Sequence, residues 1–216
     1  MEILQSLNNI LIIGIAGGTG SGKTYLTNKL IQKFGTDKIA TIPVDSYYHD
    51  LSHLPIEERA KNNFDHPASF DFDLLKFHIK ELKKYNSIEI PRYDYKTHTR
   101  MNKTNKITNS YKIIIIEGIY ALYNKKIRNY FDYSVFIDVP SDKRKTRRLD
   151  RDVKKRARTI DSILIQYNKY VTPMFEEFIK PTIHYADLVI KNFNNSDTNF
   201  IKLTTILNKN IANDKK

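Results

Sequence analysis

One segment limits what this chain can fold into more than any other. Gly17-Gly18-Thr19-Gly20-Ser21-Gly22-Lys23-Thr24 satisfies the pattern G-x-x-x-x-G-K-[ST]. The apolar run Ile10-Leu11-Ile12-Ile13-Gly14-Ile15-Ala16 precedes it, and a helical pattern over about Gly22 to Phe34 follows. A continuous apolar run of this length suits a strand buried on both faces of a parallel sheet. The glycines allow backbone N–H groups to converge on phosphate oxygens, and the helix N-terminus adds partial positive charge. In such a cradle Lys23 reaches the terminal phosphates, and the Thr24 hydroxyl is placed to ligate Mg²⁺.

The rest of the chain repeats the alternation of strand and helix. Strands are expected at Ile39 to Val44, Ile113 to Ile116, Tyr133 to Val139 and Ala186 to Ile190. Helices are expected from Asp71 to about Lys84, Ser141 to Arg156, Asp161 to Ile179 with a kink or division at Pro173, and Asn199 to Ile211. Ile88 to Thr108, rich in Thr, Asn, Tyr and Lys, reads as an extended excursion or hairpin. The pattern predicts an α/β fold, a parallel sheet flanked by helices as in P-loop nucleotide-binding proteins, with a lid helix and an acceptor-site hairpin. No repeat or linker interrupts it, so residues 1–216 are expected to form one domain with a frayed tail from about 212.

Composition removes several classes of function. There are no cysteines, which excludes disulfides, thiolate metal sites and cysteine nucleophiles and suits a reducing cytoplasm. Met1 to Leu7 has no basic stretch leading into an apolar one, so no secretory signal is expected. No run approaches the roughly 20 apolar residues that a membrane helix needs. The net charge of +12 could serve nucleic acid, but much of it is Lys scattered among Asn and Ile. It also suits a protein that handles triphosphates.

Two further carboxylates sit where parallel strands end, facing a ligand crevice. Glu117 closes Ile113-Ile114-Ile115-Ile116 and is a candidate for organising the metal. Asp45 follows Ile42-Pro43-Val44 and is the candidate to accept the proton of an attacking hydroxyl. Arg144, Arg148 and Arg151 recur at i, i+4 and i+7, one face of the predicted lid helix. Beside a phosphate loop such a face can bring guanidinium groups to a transferring phosphoryl group.

Longer segments carry a more selective likeness. Val44-Asp45-Ser46-Tyr47-Tyr48, Asn63-Phe64-Asp65-His66-Pro67, Pro91-Arg92-Tyr93-Asp94-Tyr95 with His98-Thr99-Arg100, and Ile116-Glu117-Gly118-Ile119 resemble the uridine kinase (uridine–cytidine kinase) family. So do Arg147-Arg148, Arg151-Asp152, Arg156-Ala157-Arg158, Gln166-Tyr167 and Pro173-Met174-Phe175, and the likeness runs from about Ile12 to Ile190. The resemblance implies transfer of the γ-phosphoryl group of ATP or GTP, with Mg²⁺, to the 5′-hydroxyl of uridine or cytidine, giving UMP or CMP in pyrimidine salvage. It makes Asp45 the catalytic base beside Lys23, and Thr24 and Glu117 the metal-site residues. It places Tyr48, Asp65, Tyr93, Tyr95, His98, Arg148, Arg158 and Gln166 at the nucleoside, and Arg151 and Arg156 at phosphates. A cytoplasmic homotetramer that binds neither nucleic acid nor membrane is the matching expectation.

There are two departures from the family pattern. Ala157 stands where glycine is usual, implying a stiffer lid hinge, and Lys191-Asn192-Phe193-Asn194 replaces a common Pro-Arg-Gly-Gly near the donor base. Rival readings are another small-molecule kinase, for a phosphorylated sugar or pantothenate, a nucleotide-dependent nucleic-acid binder, and an inactive scaffold. An acceptor that already bears phosphate would need extra cations where this chain offers Tyr, Asp and His. Intact Lys23, Thr24, Asp45 and Glu117 argue against the scaffold.

Overall fold

A computed structural model describes residues 10–156, 158–191 and 198–212. The expectations for Met1 to Leu7, for Ala157, for Asn192 to Asn194 and for the tail from 213 therefore lie outside the described residues.

In chain order the elements are β1 (Leu11–Ala16), α1 (Lys23–Phe34), β2 (Ile39–Pro43), α2 (Ile56–Arg59), α3 (Phe72–Lys83), β3 (Ile88–Asp94), β4 (Thr99–Ile107), β5 (Ile113–Glu117), α4 (Lys125–Arg128), β6 (Tyr133–Asp138) and α5 (Ser141–Arg156). They continue with α6 (Ile160–Gln166), α7 (Thr172–Met174), β7 (Leu188–Lys191) and α8 (Thr198–Ala212). Five strands form one sheet in the order β2-β5-β1-β6-β7, every pairing parallel.

The isoleucine runs are explained by what lies on each face of that sheet. Ile12, Ile42, Ile114 and Ile116 pack with α3 and the hairpin side, through Leu75, Ile79, Leu82, Ile88 and Ile90. Their neighbours Ile13, Ile15, Ile39, Ile113 and Ile115 pack on the opposite side, with Leu26 and Leu30 of α1 and Leu203 and Leu207 of α8. Strands covered on both faces need no polar alternation. Each fully buried branched side chain stabilises the fold by about 1.5–3 kcal/mol relative to exposure. Among the described residues no helix is long and apolar enough to cross a membrane.

The excursion is a two-stranded antiparallel hairpin, β3–β4. Ile88 and Ile90 face inward, and the register then shifts between Pro91 and Tyr93. Pro91 has no N–H for the ladder, and between Pro91 and Tyr93 the register slips by two residues, with Tyr93 buried and Arg92 exposed. The expected long helix after Asp161 is also modified around Pro173. α6 widens into π-helical turns at Tyr167–Val171 and Phe175–Ile179 on either side of α7, then tightens into a 3₁₀ segment at Lys180–Tyr185. Proline lacks a donor and crowds the carbonyl four residues back. The longer i→i+5 bonds, such as Thr172 N–H to the Tyr167 carbonyl, carry the helical path past it.

The carboxyl ends of β1, β2 and β5 meet at one edge of the sheet. Register pairs Ile15 with Glu117 and Pro43 with Glu117, so the phosphate loop, Asp45 and Glu117 all emerge together.

Candidate active site

The loop from Gly17 to Gly22 leads directly into α1, whose first residue is Lys23. No acidic residue occupies the first turn of α1, which leaves its positive end open to an anion. The Lys23 ammonium is buried and donates to the carbonyls of Gly17 (3.0 Å) and Gly18 (3.1 Å). Burial draws its pKa below the usual lysine range, opposed by the carboxylates of Glu117 and Asp45. Thr24 Oγ1 donates to Glu117 Oε1 at 3.1 Å. Burial raises the Glu117 pKa, Asp45 raises it further, and Lys23 opposes both.

A hydroxyl and a carboxylate are hard oxygen donors that suit Mg²⁺, an ion that takes few protein ligands beside phosphate and water oxygens. Among the described residues no group of three or more His, Cys, Asp or Glu could hold a metal by themselves. The donor set therefore fits an ion that arrives with a polyphosphate.

The loop's shape is fixed from outside by Arg144, a residue that the sequence pattern groups with Arg148 and Arg151 at the transferring phosphate. The structure separates it from them. Arg144 is buried, its Nε donates to the Val139 carbonyl at 2.9 Å, and its guanidinium lies 3.8 Å from the Phe175 ring centroid. Gly20 has φ +74°, and a Cβ there would stand 2.4 Å from the Arg144 carbonyl oxygen. A Cβ on Gly18 would meet the Arg144 guanidinium at 2.4 Å. Gly20 is required both by its backbone conformation and by α5 packing against the loop, whereas at Gly18 it is the close approach of the Arg144 guanidinium and the Phe175 ring that leaves no room for a side chain.

From the loop a cleft of about 1200 Å³ runs to the hairpin. Thr19, Lys23, Thr24 and Glu117 line it, as do Arg151 and Arg156 of α5. Tyr48, Asp65, Tyr93, Tyr95, His98, Arg148, Arg158 and Gln166 line the same cleft, so all the expected nucleoside residues converge there. Gly17, Gly18, Gly20, Ser21 and Gly22 contribute the loop around Thr19.

Asp45 lines the same cleft, half-buried in a 3₁₀ turn over Val44–Tyr47. That turn is fixed by Tyr47, fully buried with its hydroxyl 2.9 Å from His78 Nδ1. The negative charge of Asp45 raises the pKa of Lys23 and Glu117 in the phosphate loop's neighbourhood and of Asp65 and Tyr48 beyond it, so it is felt by both groups of residues.

The acceptor wall is a polar relay set among rings. Gln166 Nε2 donates to Asp65 Oδ2 at 3.0 Å, while Gln166 Oε1 accepts from Arg148 (3.1 Å) and Arg158 (2.5 Å). Arg148 also approaches Asp65 at 3.8 Å. Burial still leaves the Asp65 pKa raised, against the pull of Arg148 and Gln166. Tyr120, buried under the wall, donates its hydroxyl to the Asp65 backbone carbonyl at 2.5 Å.

Two contacts here had little or no signal in sequence. Phe64 stacks on His98, centroids 4.5 Å apart and planes 14° apart, and meets Tyr48 edge-on at 5.6 Å. Its place beside Asp65 in a recognisable segment was the available clue. Arg59 gave none, yet it donates to the carbonyls of Leu54, Ser52 and Thr97, tying the 52–59 loop to the hairpin turn. His98, at φ +55°, is held on that turn. Burial and the charge of Arg59 lower its pKa, which favours the neutral ring.

A parallel sheet with this loop, its buried lysine and a strand-end carboxylate defines a P-loop kinase fold. The phosphoribulokinase from Rhodobacter spheroides shares it, with a TM-score of 0.64 over 90% of this chain and 75% of that one, at 12% identity. The chain belongs to the phosphoribulokinase / uridine kinase family, whose family model matches residues 12–199. It is 48% identical to a uridine kinase of Clostridium novyi (strain NT) over 180 residues, 83% of this chain and 86% of that protein. A uridine kinase of Bacillus velezensis is 44% identical over 204 residues, 93% of this chain and 96% of that protein.

Proposed function

We propose that this protein is a uridine/cytidine kinase, and that the whole chain is one catalytic domain. The observation that carries the reading is the shared cleft: a phosphate cradle and a ring-lined polar wall, with Asp45 lining the same space. On this reading the triphosphate of ATP or GTP lies on the amides of the loop, and Lys23 leaves the Gly17 and Gly18 carbonyls for phosphate oxygens. Thr24 and Glu117 are the residues that would hold Mg²⁺, whose charge offsets that of the phosphates. Asp65 accepts hydrogen bonds from ribose hydroxyls, while Tyr93, Tyr95 and Phe64 offer ring surface to the base. A neutral His98 can present a donor or an acceptor to the base edge, which suits both uracil and cytosine.

Asp45 then accepts the proton of the 5′-hydroxyl as the 5′-oxygen bonds to the γ-phosphorus and the bond to the β-phosphate oxygen breaks. The nucleoside monophosphate and the diphosphate are the products. Arg151 and Arg156 stabilise the charge that spreads over the transferred group. With that activity the protein serves pyrimidine salvage; cytoplasmic location and homo-oligomeric assembly are read from the family likeness.

A substrate panel tests the reading. Uridine and cytidine should be phosphorylated with Mg-ATP or Mg-GTP, and pantothenate and a phosphorylated pentulose should be inert. Turnover of either of the latter with both nucleosides inert would reassign the acceptor wall.

A further inference from the structure

Four arginines line the cleft, and the mechanism above leaves out the carboxylate between them. Asp152 lies one helical turn beyond Arg148 on α5 and has no exposure to solvent. Its Oδ1 is 2.8 Å from Arg151 Nε and 3.6 Å from Arg156 Nε. Its Oδ2 is 3.4 Å from Arg148 Nε and 4.0 Å from Arg158 Nη1. The two oxygens serve pairs with different neighbours. Arg148 and Arg158 reach the acceptor wall through Gln166. Of the other pair, Arg151 acts electrostatically on Lys23, and Arg156 lies over the Tyr95 ring at 5.6 Å, a ring that itself feels the charges of Asp45 and Glu117.

Four guanidinium groups converging on one site repel one another unless a countercharge lies among them. Asp65 supplies one charge from across the cleft, 3.8 Å from Arg148. Asp152 supplies the other from within the lid, where no water can replace it. Without that charge, the partly exposed Arg151, Arg156 and Arg158 lose a shared countercharge, and Arg148, buried, loses a partner it cannot exchange for solvent.

We propose that Asp152 is a positioning residue whose two oxygens hold one arginine pair toward the triphosphate and one toward the nucleoside, so that both substrates depend on a single buried charge. The roles of the two pairs rest on the kinase reading above. Asp152→Asn keeps size and removes charge; its KM for uridine and its KM for Mg-ATP should each rise about tenfold, with kcat down about tenfold or more. Asp152→Glu, which restores the charge, should recover part of both losses. Asp132 gives the structural control: it accepts from the Ile12 N–H at 2.7 Å and from Lys83 at 2.9 Å, away from the cleft. Asp132→Asn should lower the melting temperature and leave both KM values within about twofold.

An Asp152→Asn enzyme with either KM unchanged overturns the proposal, as does a Glu variant no better than Asn. Should Asp152→Asn fail to fold, a double-mutant cycle between Arg156→Ala and Arg158→Ala carries the test. Coupling through the shared carboxylate predicts kcat/KM losses that depart from additivity by about threefold or more, and strict additivity contradicts it. A wild-type protein that turns over no nucleoside would sink the kinase reading instead. The role of Asp152 would then be read by calorimetry of Mg-ATP binding, which Asp152→Asn should weaken about tenfold and leave unchanged if the proposal is wrong.

Discussion

The two halves of the cleft are built in different ways. The phosphate half is contiguous: eight residues from Gly17 to Thr24 form the loop and the start of α1, and Glu117 joins them through one register pairing in the sheet. The acceptor half gathers side chains from the 3₁₀ turn at 44–47, the segment around Asp65, the hairpin, α5 and α6. The first half relies on backbone amides and a buried ammonium, fixed by strands covered on both faces. The second relies on a relay, Arg148–Gln166–Asp65, that links segments about 100 residues apart. A contiguous site tolerates change elsewhere in the fold, whereas an assembled site depends on every segment that supplies a member.

This difference can be sharpened by mutation, beginning where the effect should be greatest. Lys23→Ala should lower kcat by roughly 10³-fold, the cost of losing a charged donor at the transferring phosphate, with uridine affinity little changed. Steady-state rates together with uridine binding by calorimetry check this. Asp65→Ala should act in the opposite half, lowering kcat/KM for nucleoside about 100-fold while KM for ATP stays within about twofold. If Asp65→Ala raised both KM values equally, the two halves could not be treated as separate. Phe64→Leu should raise nucleoside KM by about tenfold through loss of stacking on His98 and the base.

The smallest effect concerns pH. The pKa of His98 lies below the usual value of about 6.5, so the ring is neutral at pH 7 and gains a proton only as pH falls past that lowered value. Nucleoside KM should therefore be flat from pH 7 to 8 and rise on the acid side, an effect that His98→Gln removes. Glu117 and Asp65, both shifted upward, add a loss of kcat/KM on acidification that begins above the ordinary carboxylate range.

The same contrast governs how much could be read from the sequence. The phosphate half was legible because its chemistry requires fixed residue types at fixed spacing, and because Ile12, Ile13, Ile113 and Ile115 announce strands buried on both faces. The hairpin was legible as an excursion, but its register break between Pro91 and Tyr93 was not. The members of the acceptor wall could be named through their resemblance to a family; nothing in local pattern says that Gln166 reaches Asp65. Helical periodicity placed Arg144, Arg148 and Arg151 on one face, and a face is not a destination. Packing against Phe175 and the loop sends Arg144 under the phosphate cradle, and Asp152 sends Arg148 across to the acceptor side. The widened turns about Pro173 depend on how the chain reroutes its hydrogen bonds, which residue type alone does not specify.

In the proposed mechanism Asp45 is where the two halves act on one reaction. The direct test is transfer of the γ-phosphoryl group from Mg-ATP to uridine by wild type and by Asp45→Asn, with binding of both substrates measured alongside. The account predicts that the variant binds uridine and ATP nearly as wild type does and loses roughly 10²-fold or more in kcat. Turnover at the wild-type rate by the variant would contradict it.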